Sequence, residues 1–321
     1  MKKIGIIGAK GRTGTMFAFE LKNLGKIFGI EKEKKSEKEK IFLKRNGKEE
    51  IFEIEMISES EFPKEIDFDY LFFCLPNPIE KTLELYLQKI KEGKRKVPVL
   101  FFSQNGLEAG EKAISLVEKI FGKEESSIFR IALFSPIKKQ EGGVEYGLPI
   151  KIALAKISGK ENEKEVFKFF KNANFKVFLF SQKDWKNLEY SKLFLNLIGM
   201  ACAVYRYPLR EGLSKKKLFQ KEILILREYK KVVKKAGGHF LNFPGYPVRF
   251  FSFLISLPIP LLFFFRKLIL KIIEKKREEK EKDLNEIDFY NGAVVKMGKK
   301  MEIETPTNEE VLKIGKNLLK F

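Results

Sequence analysis

The chain has 321 residues, 44% of them hydrophobic and 33% charged, which is enough for two packed cores and excludes a disordered or low-complexity protein. A net charge of +20, from 63 Lys and Arg against 43 Asp and Glu, favours an anionic partner. Lysine alternates with glutamate in runs such as Glu31 to Lys40, so the lysines read as solvated surface and not as the basic stripe of a nucleic-acid binder.

Cys74 and Cys202 lie inside apolar runs with no partner cysteine at metal-ligand spacing, so both read as small core residues and no metal site or disulfide is expected. The start, MKKIGIIGAKG, breaks its apolar run with glycine after a few residues and offers no cleavage site, which predicts a cytoplasmic protein. Phe250 to Phe265, FFSFLISLPIPLLFFF, is flanked by Arg249, Arg266 and Lys267. It falls short of the roughly 20 residues of a crossing helix and is split by Pro258 and Pro260, so two short buried helices joined at the prolines are expected.

Taken in order, Lys3 to Gly8 is a short β-branched run, followed by Ala9-Lys10-Gly11-Arg12-Thr13-Gly14 and the helical pattern from Met16. That is strand, glycine turn, helix. Gly8, Gly11 and Gly14 make a GxxGxxG variant of the dinucleotide fingerprint, in which glycine lets the backbone approach a pyrophosphate and the helix start supplies donors. Gly8, Ala9, Lys10, Gly11, Arg12, Thr13 and Gly14 are the expected cofactor contacts. A second strand, Lys26 to Ile30, ends at Glu31-Lys32-Glu33-Lys34-Lys35, where such a fold meets the adenosine ribose. An acid there favours NAD and a base NADP. Both are present, and Lys32, Lys34, Lys35 and Arg12 tilt the expectation to NADPH (NADP+).

Residues 41 to 57 alternate around Asn46-Gly47 as an antiparallel hairpin decorating the sheet. Asp69 to Leu75 and Val97 to Phe102 read as buried parallel strands, each leading through a turn into a helix. Asn77, Ser103 and Asn105 follow those strands and fall at the carboxyl edge, where an open parallel sheet binds ligands. Asn105-Gly106 can equally be turn chemistry alone. Ile128 to Pro136, Ile150 to Ile157 and Phe175 to Phe180 are later strands, with a glycine hairpin at Gly142-Gly143 and Gly147.

Beyond Ser181 only helical patterns follow, over 184 to 204, 212 to 236, 244 to 276, 282 to 300 and 306 to 320, and Lys275 to Lys282 reads as a solvated helix end or loop. The expected fold is α/β: a Rossmann-type parallel-sheet domain over 1–181 and an all-helical domain over 182–321. On the first of these helices Lys192 and Asn196 stand one turn apart on an apolar segment. By itself that pair reads as a snorkelling lysine and a core amide as readily as a site. Thr305-Pro306-Thr307-Asn308 is expected to cap the last helix.

Together these residues resemble the ketopantoate reductase family, the NADPH-dependent 2-dehydropantoate 2-reductases of pantothenate biosynthesis, over essentially the whole chain. The glycine turn, Ser103-Gln104-Asn105-Gly106-Leu107, Lys192-Leu193 with Asn196, and Asn285 to Gly292 ahead of Thr305 to Asn308 carry the likeness. The resemblance implies reduction of ketopantoate or a close 2-keto acid. Lys192 would be the proton donor, Glu286 the partner of the substrate hydroxyl, and Asn105 and Asn196 the positioning amides, with Asn105 also at the cofactor. A small anionic substrate fits the positive charge, and a homodimer through the helical domain is consistent with the family. Three positions depart from its pattern. Met200 stands where a second asparagine is usual, Pro76 where a cofactor lysine is usual, and no serine segment is recognisable in Lys275 to Leu284. These departures leave two other readings open: a diverged NADP-binding protein without reductase activity, as a sensor or at a membrane surface, and a dehydrogenase of another carboxylic acid.

Overall fold

The computed structural model describes residues 1–62, 66–122, 126–140, 143–267, 282 and 284–320. The described chain forms two compact units, Met1–Gln104 with Glu108–Trp185, and Asn105–Leu107 with Lys186–Phe321.

The first unit is built on one sheet, whose strands are β1 (Lys2–Ile7), β2 (Gly25–Glu31), β3 (Lys38–Arg45), β4 (Lys48–Ser58), β5 (Tyr70–Phe73), β6 (Val99–Phe102), β7 (Ile128–Leu133), β8 (Ile137–Gln140), β9 (Gly143–Tyr146), β10 (Ile150–Ser158) and β11 (Phe175–Phe180). Among the described residues their order is β11-β10-β7-β6-β5-β1-β2-β4-β3-β9-β8. The central strands β2, β1, β5, β6 and β7 run parallel, as the continuous apolar runs predict. The hairpin β3–β4 is not a decoration. β4 pairs parallel to β2 and β3 pairs parallel to β9, so the hairpin extends the same sheet.

Helices cover both faces because alternate residues of each strand are apolar in both directions. Tyr70, Phe72 and Phe101 face one core, with Met16 and Phe17 of α1 (Arg12–Leu21) and Phe170 of α4 (Glu163–Lys171). Leu71, Phe73, Leu100 and Phe102 face the other, with Leu83 and Tyr86 of α2 (Glu80–Glu92) and Val117 of α3 (Ala109–Phe121). Register puts Phe72 opposite Phe101 and Phe73 opposite Phe102. Their rings stack with centroids 4.5 and 5.0 Å apart, one pair on each face, which locks β5 against β6. The buried carboxylate of Glu20 on α1 accepts hydrogen bonds from Tyr146 at 2.8 Å and Asn174 at 2.6 Å, tying β9 and the turn before β11 to that helix.

The second unit is helical: α5 (Trp185–Leu197) opens it, then α6 (Met200–Val204), α7 (Leu209–Ser214), α8 (Lys216–Lys235), α9 (Val248–Leu254), α10 (Ile259–Phe264), α11 (Asn291–Lys300) and α12 (Pro306–Leu318). The single helix expected over 184 to 204 is two. Gly199 takes φ +87°, a left-handed conformation that ends α5, and the Glu222 carboxylate of α8 accepts the Gly199 and Cys202 N–H groups at 2.9 Å each to start α6. α12 begins at Pro306 as expected, but Thr305 makes no side-chain cap. Glu228 of α8 accepts from the Thr307 N–H at 2.9 Å and the Asn308 N–H at 3.0 Å instead.

The proline-split block does form two short helices, α9 and α10, yet it is only half buried. Phe253 is 63% and Phe264 75% exposed, with Phe250, Leu261 and Phe265 also exposed, because each short helix spends one stripe on the core through Val248, Ser252 or Leu262. Among the described residues no helix is long and apolar enough to cross a membrane. The expected ends of the helices over 244 to 276 and 282 to 300, the loop at Gly142 and most of Lys275 to Leu284 lie outside the described residues.

Candidate functional site

In the first unit the turn after β1 has the geometry of a phosphate cradle. Gly8, at φ +78°, donates to Ile30 O at 3.0 Å and its own carbonyl accepts the Gly11 N–H at 3.0 Å. A Cβ at Gly14 would lie 2.1 Å from Gly8 O, so glycine is obligatory where the helix starts this close to the strand end. Thr15 Oγ1 donates to Ala9 O at 3.0 Å and fixes the turn from inside. Lys10, Gly11 and Arg12 are exposed, Thr13 is half-buried, and the first turn of α1 carries no acidic side chain, which leaves its N–H groups and dipole open to an anion. These residues fit a dinucleotide pyrophosphate.

The end of β2 departs from a purely basic ribose site. Glu31 Oε1 accepts the Lys10 backbone N–H at 2.9 Å, and Lys10 Nζ pairs with Glu39 at 2.8 Å. Lys32 is exposed. Asn77 follows β5 and is half-buried. At the end of β6, Gln104 Nε2 donates to Phe73 O at 2.8 Å and Leu75 O at 3.2 Å, while its buried Oε1 has no partner among the described residues. Arg130, 2% exposed on β7, donates to Phe102 O and Ile131 O at 2.9 Å and to Gln104 O. A buried guanidinium thus fastens the strand exit that leads into Asn105. Cys74, at the end of β5, is pushed up to about 12 by burial and is an inert thiol.

In the second unit the structure brings together three of the four polar residues singled out from the sequence. Asn105 Nδ2 donates to Glu286 Oε2 at 3.0 Å and Oε1 at 3.3 Å, and Asn196 Nδ2 reaches Asn105 Oδ1 at 3.4 Å. Glu286 sits in a 3₁₀ turn, Leu284–Phe289, and also accepts from the Tyr290 hydroxyl. A carboxylate receiving three N–H and O–H contacts is held as an acceptor. Lys192 lies one turn before Asn196 on α5, half-buried. Met200, fully buried, belongs to α6 and not to the Lys192–Asn196 stripe, because Gly199 breaks the helix between them.

Two further residues enter this group. Tyr290 stands four residues after Glu286, a spacing that could have been read from the sequence. Lys282 donates from Nζ to the Asn196 carbonyl and lies 5.5 Å from the Tyr290 ring centroid. Glu222, behind Gly199, is raised from the usual carboxylate range by burial, against the pull of the Cys202 and Gly199 N–H groups and the Lys282 charge.

Residues 184–318 match the family model described as ketopantoate reductase PanE/ApbA C terminal. Among solved structures, the PanE/ApbA family ketopantoate reductase of Ralstonia eutropha JMP134 superposes with a TM-score of 0.72 at 16% identity, covering 98% of this chain and 97% of its own. The probable 2-dehydropantoate 2-reductase panE of Bacillus subtilis gives 0.70 at 16% identity, covering 98% and 99%. D-mandelate dehydrogenase in its ternary structure with NADH and anilino(oxo)acetate gives 0.68 at 19% identity, covering 98% and 97%. None of the curated proteins matches the chain. The likeness to the ketopantoate reductase family is thus borne out: the family model matches residues 184–318, and the solved structures share the fold over nearly the whole chain.

Proposed function

We propose that the protein is an oxidoreductase that reduces a small 2-keto acid, ketopantoate or a close analogue, with a reduced nicotinamide dinucleotide. The reading assigns the dinucleotide to the glycine turn of the first unit and the keto acid to the Lys192, Asn196, Asn105 and Glu286 group of the second. What carries it is the hydrogen-bonded series Asn196–Asn105–Glu286, closed by Tyr290, in a domain of this family.

When bound, the dinucleotide supplies the hydride to the carbonyl carbon. Lys192 gives its Nζ proton to the oxygen that becomes the product hydroxyl. Glu286, held by Asn105 and Tyr290, accepts a hydrogen bond from a substrate hydroxyl and fixes the carbon skeleton. Lys282 brings a positive charge to the same group and suits the substrate carboxylate, the role for which the sequence offers no serine segment.

The test is oxidation of NADH and NADPH with ketopantoate and a panel of small 2-keto acids, for wild type and Lys192→Ala. Turnover that falls about 100-fold or more in the variant supports the reading. A wild type inactive on every keto acid, or a variant at full rate, sinks it.

A further inference from the structure

Glu31 closes β2, and its carboxylate is anchored on the glycine turn by the Lys10 N–H at 2.9 Å. β2 is the parallel neighbour of β1, and Gly8 donates to Ile30 O, so the last residue of β2 stands beside the turn itself. In a dinucleotide fold the side chain at this strand end meets the adenosine ribose, where a carboxylate accepts from a 2′-hydroxyl and repels a 2′-phosphate.

The lysines that would welcome a 2′-phosphate are engaged. Lys10 Nζ is 2.8 Å from Glu39, which also accepts the Lys35 N–H at 3.3 Å. Lys34 Nζ is bound between Glu37 at 2.6 Å and Glu61 at 2.8 Å. Lys34 and the Ser58 N–H together hold the Glu61 carboxyl at about 2, so this acid stays ionised at any working pH. Arg12 and Lys32 are exposed, where water and salt screen their charge, while Glu31 is fixed in place by its hydrogen bond.

We infer that Glu31 selects NADH over NADPH at this turn, with Glu39 occupying Lys10. The inference rests on the reading that the first unit binds a nicotinamide dinucleotide, and it reverses the preference that counting lysines suggests.

The experiment titrates NADH and NADPH into the full-length protein, without substrate, following nicotinamide emission to obtain each Kd. NADH is expected to bind about tenfold tighter or more. Glu31→Gln keeps an oxygen for the Lys10 N–H and removes the charge, and should bring the two affinities to within about threefold. Glu31→Arg should reverse the order. A wild type that binds NADPH as tightly as NADH, or a Glu31→Gln protein with an unchanged ratio, overturns the inference alone. If neither dinucleotide binds, the inference falls together with the reading beneath it.

Discussion

Asn105 and Glu286 are 181 residues apart in the chain, yet the amide of one donates to both carboxylate oxygens of the other. Asn105–Leu107 is the short piece of the sheet's loop that packs as part of the helical unit, so the pair joins two distant segments inside that unit. Gly106, at φ +89°, would place a Cβ 2.8 Å from Phe289 O, which shows how closely the two segments are pressed.

Asn105→Ala leaves Glu286 with Tyr290 as its remaining partner among these contacts and free to turn. A KM for the keto acid raised about tenfold or more is expected, with a global stability loss near the roughly 1 kcal/mol of a half-exposed hydrogen bond. Steady-state kinetics and urea unfolding on the same preparation separate the two. An unchanged KM would remove Asn105 from the positioning role.

Lys282→Ala is expected to act on substrate charge. Its Nζ donates to a backbone carbonyl beside Asn105 and Glu286, so removal should weaken binding of 2-keto acids about tenfold, with kcat much less affected. The loss should shrink for an uncharged amide analogue of the same substrate. Equal losses for acid and amide would show that Lys282 only braces Asn196.

Gly14→Ala and Gly11→Ala separate packing from cofactor contact. An added Cβ meets Gly8 O at 2.1 Å in the first case and 3.2 Å in the second. The first should cost about 2 to 4 kcal/mol and abolish dinucleotide binding, because β1 and α1 cannot move apart without opening the core. The second should stay close to wild-type stability and lose mainly affinity. Denaturant unfolding and dinucleotide titration check both.

Much of this was legible in the sequence. Asp69 to Leu75 and Val97 to Phe102 read as parallel strands because an unbroken apolar run needs cover on two faces, and Phe72–Phe101 and Phe73–Phe102 provide it. The break at Gly199 was not legible, since it depends on a carboxylate 23 residues on that satisfies the new helix start. The cap of α12 was misread for the same reason: Thr305 is the right residue type in the right place, and Glu228 from another helix does the work. The half-exposure of Phe250 to Phe265 also escaped, because apolar composition gives no face to a helix of six or seven residues. Of the four polar residues singled out by type and order, Asn105, Asn196 and Glu286 come together in the structure, whereas Lys282, which joins them, was hidden in a run of like residues.

Glu222 ties stability to pH through a group that is entirely buried. Its folded-state carboxyl lies above the usual value of 4.5, with burial outweighing the Cys202 and Gly199 N–H groups and Lys282. A raised carboxyl binds its proton more tightly in the folded than in the unfolded chain, so its contribution is fully present below the unfolded value and is lost as pH rises through the folded one. Unfolding free energy measured in urea should therefore carry a downward slope from Glu222 on the alkaline side of about pH 4.5. Glu222→Gln removes that slope but offers one acceptor oxygen to two N–H groups, which costs about 1 to 3 kcal/mol at neutral pH. A variant with the wild-type pH profile would mean that Glu222 stays ionised throughout, held by its N–H partners and Lys282 more strongly than burial opposes it.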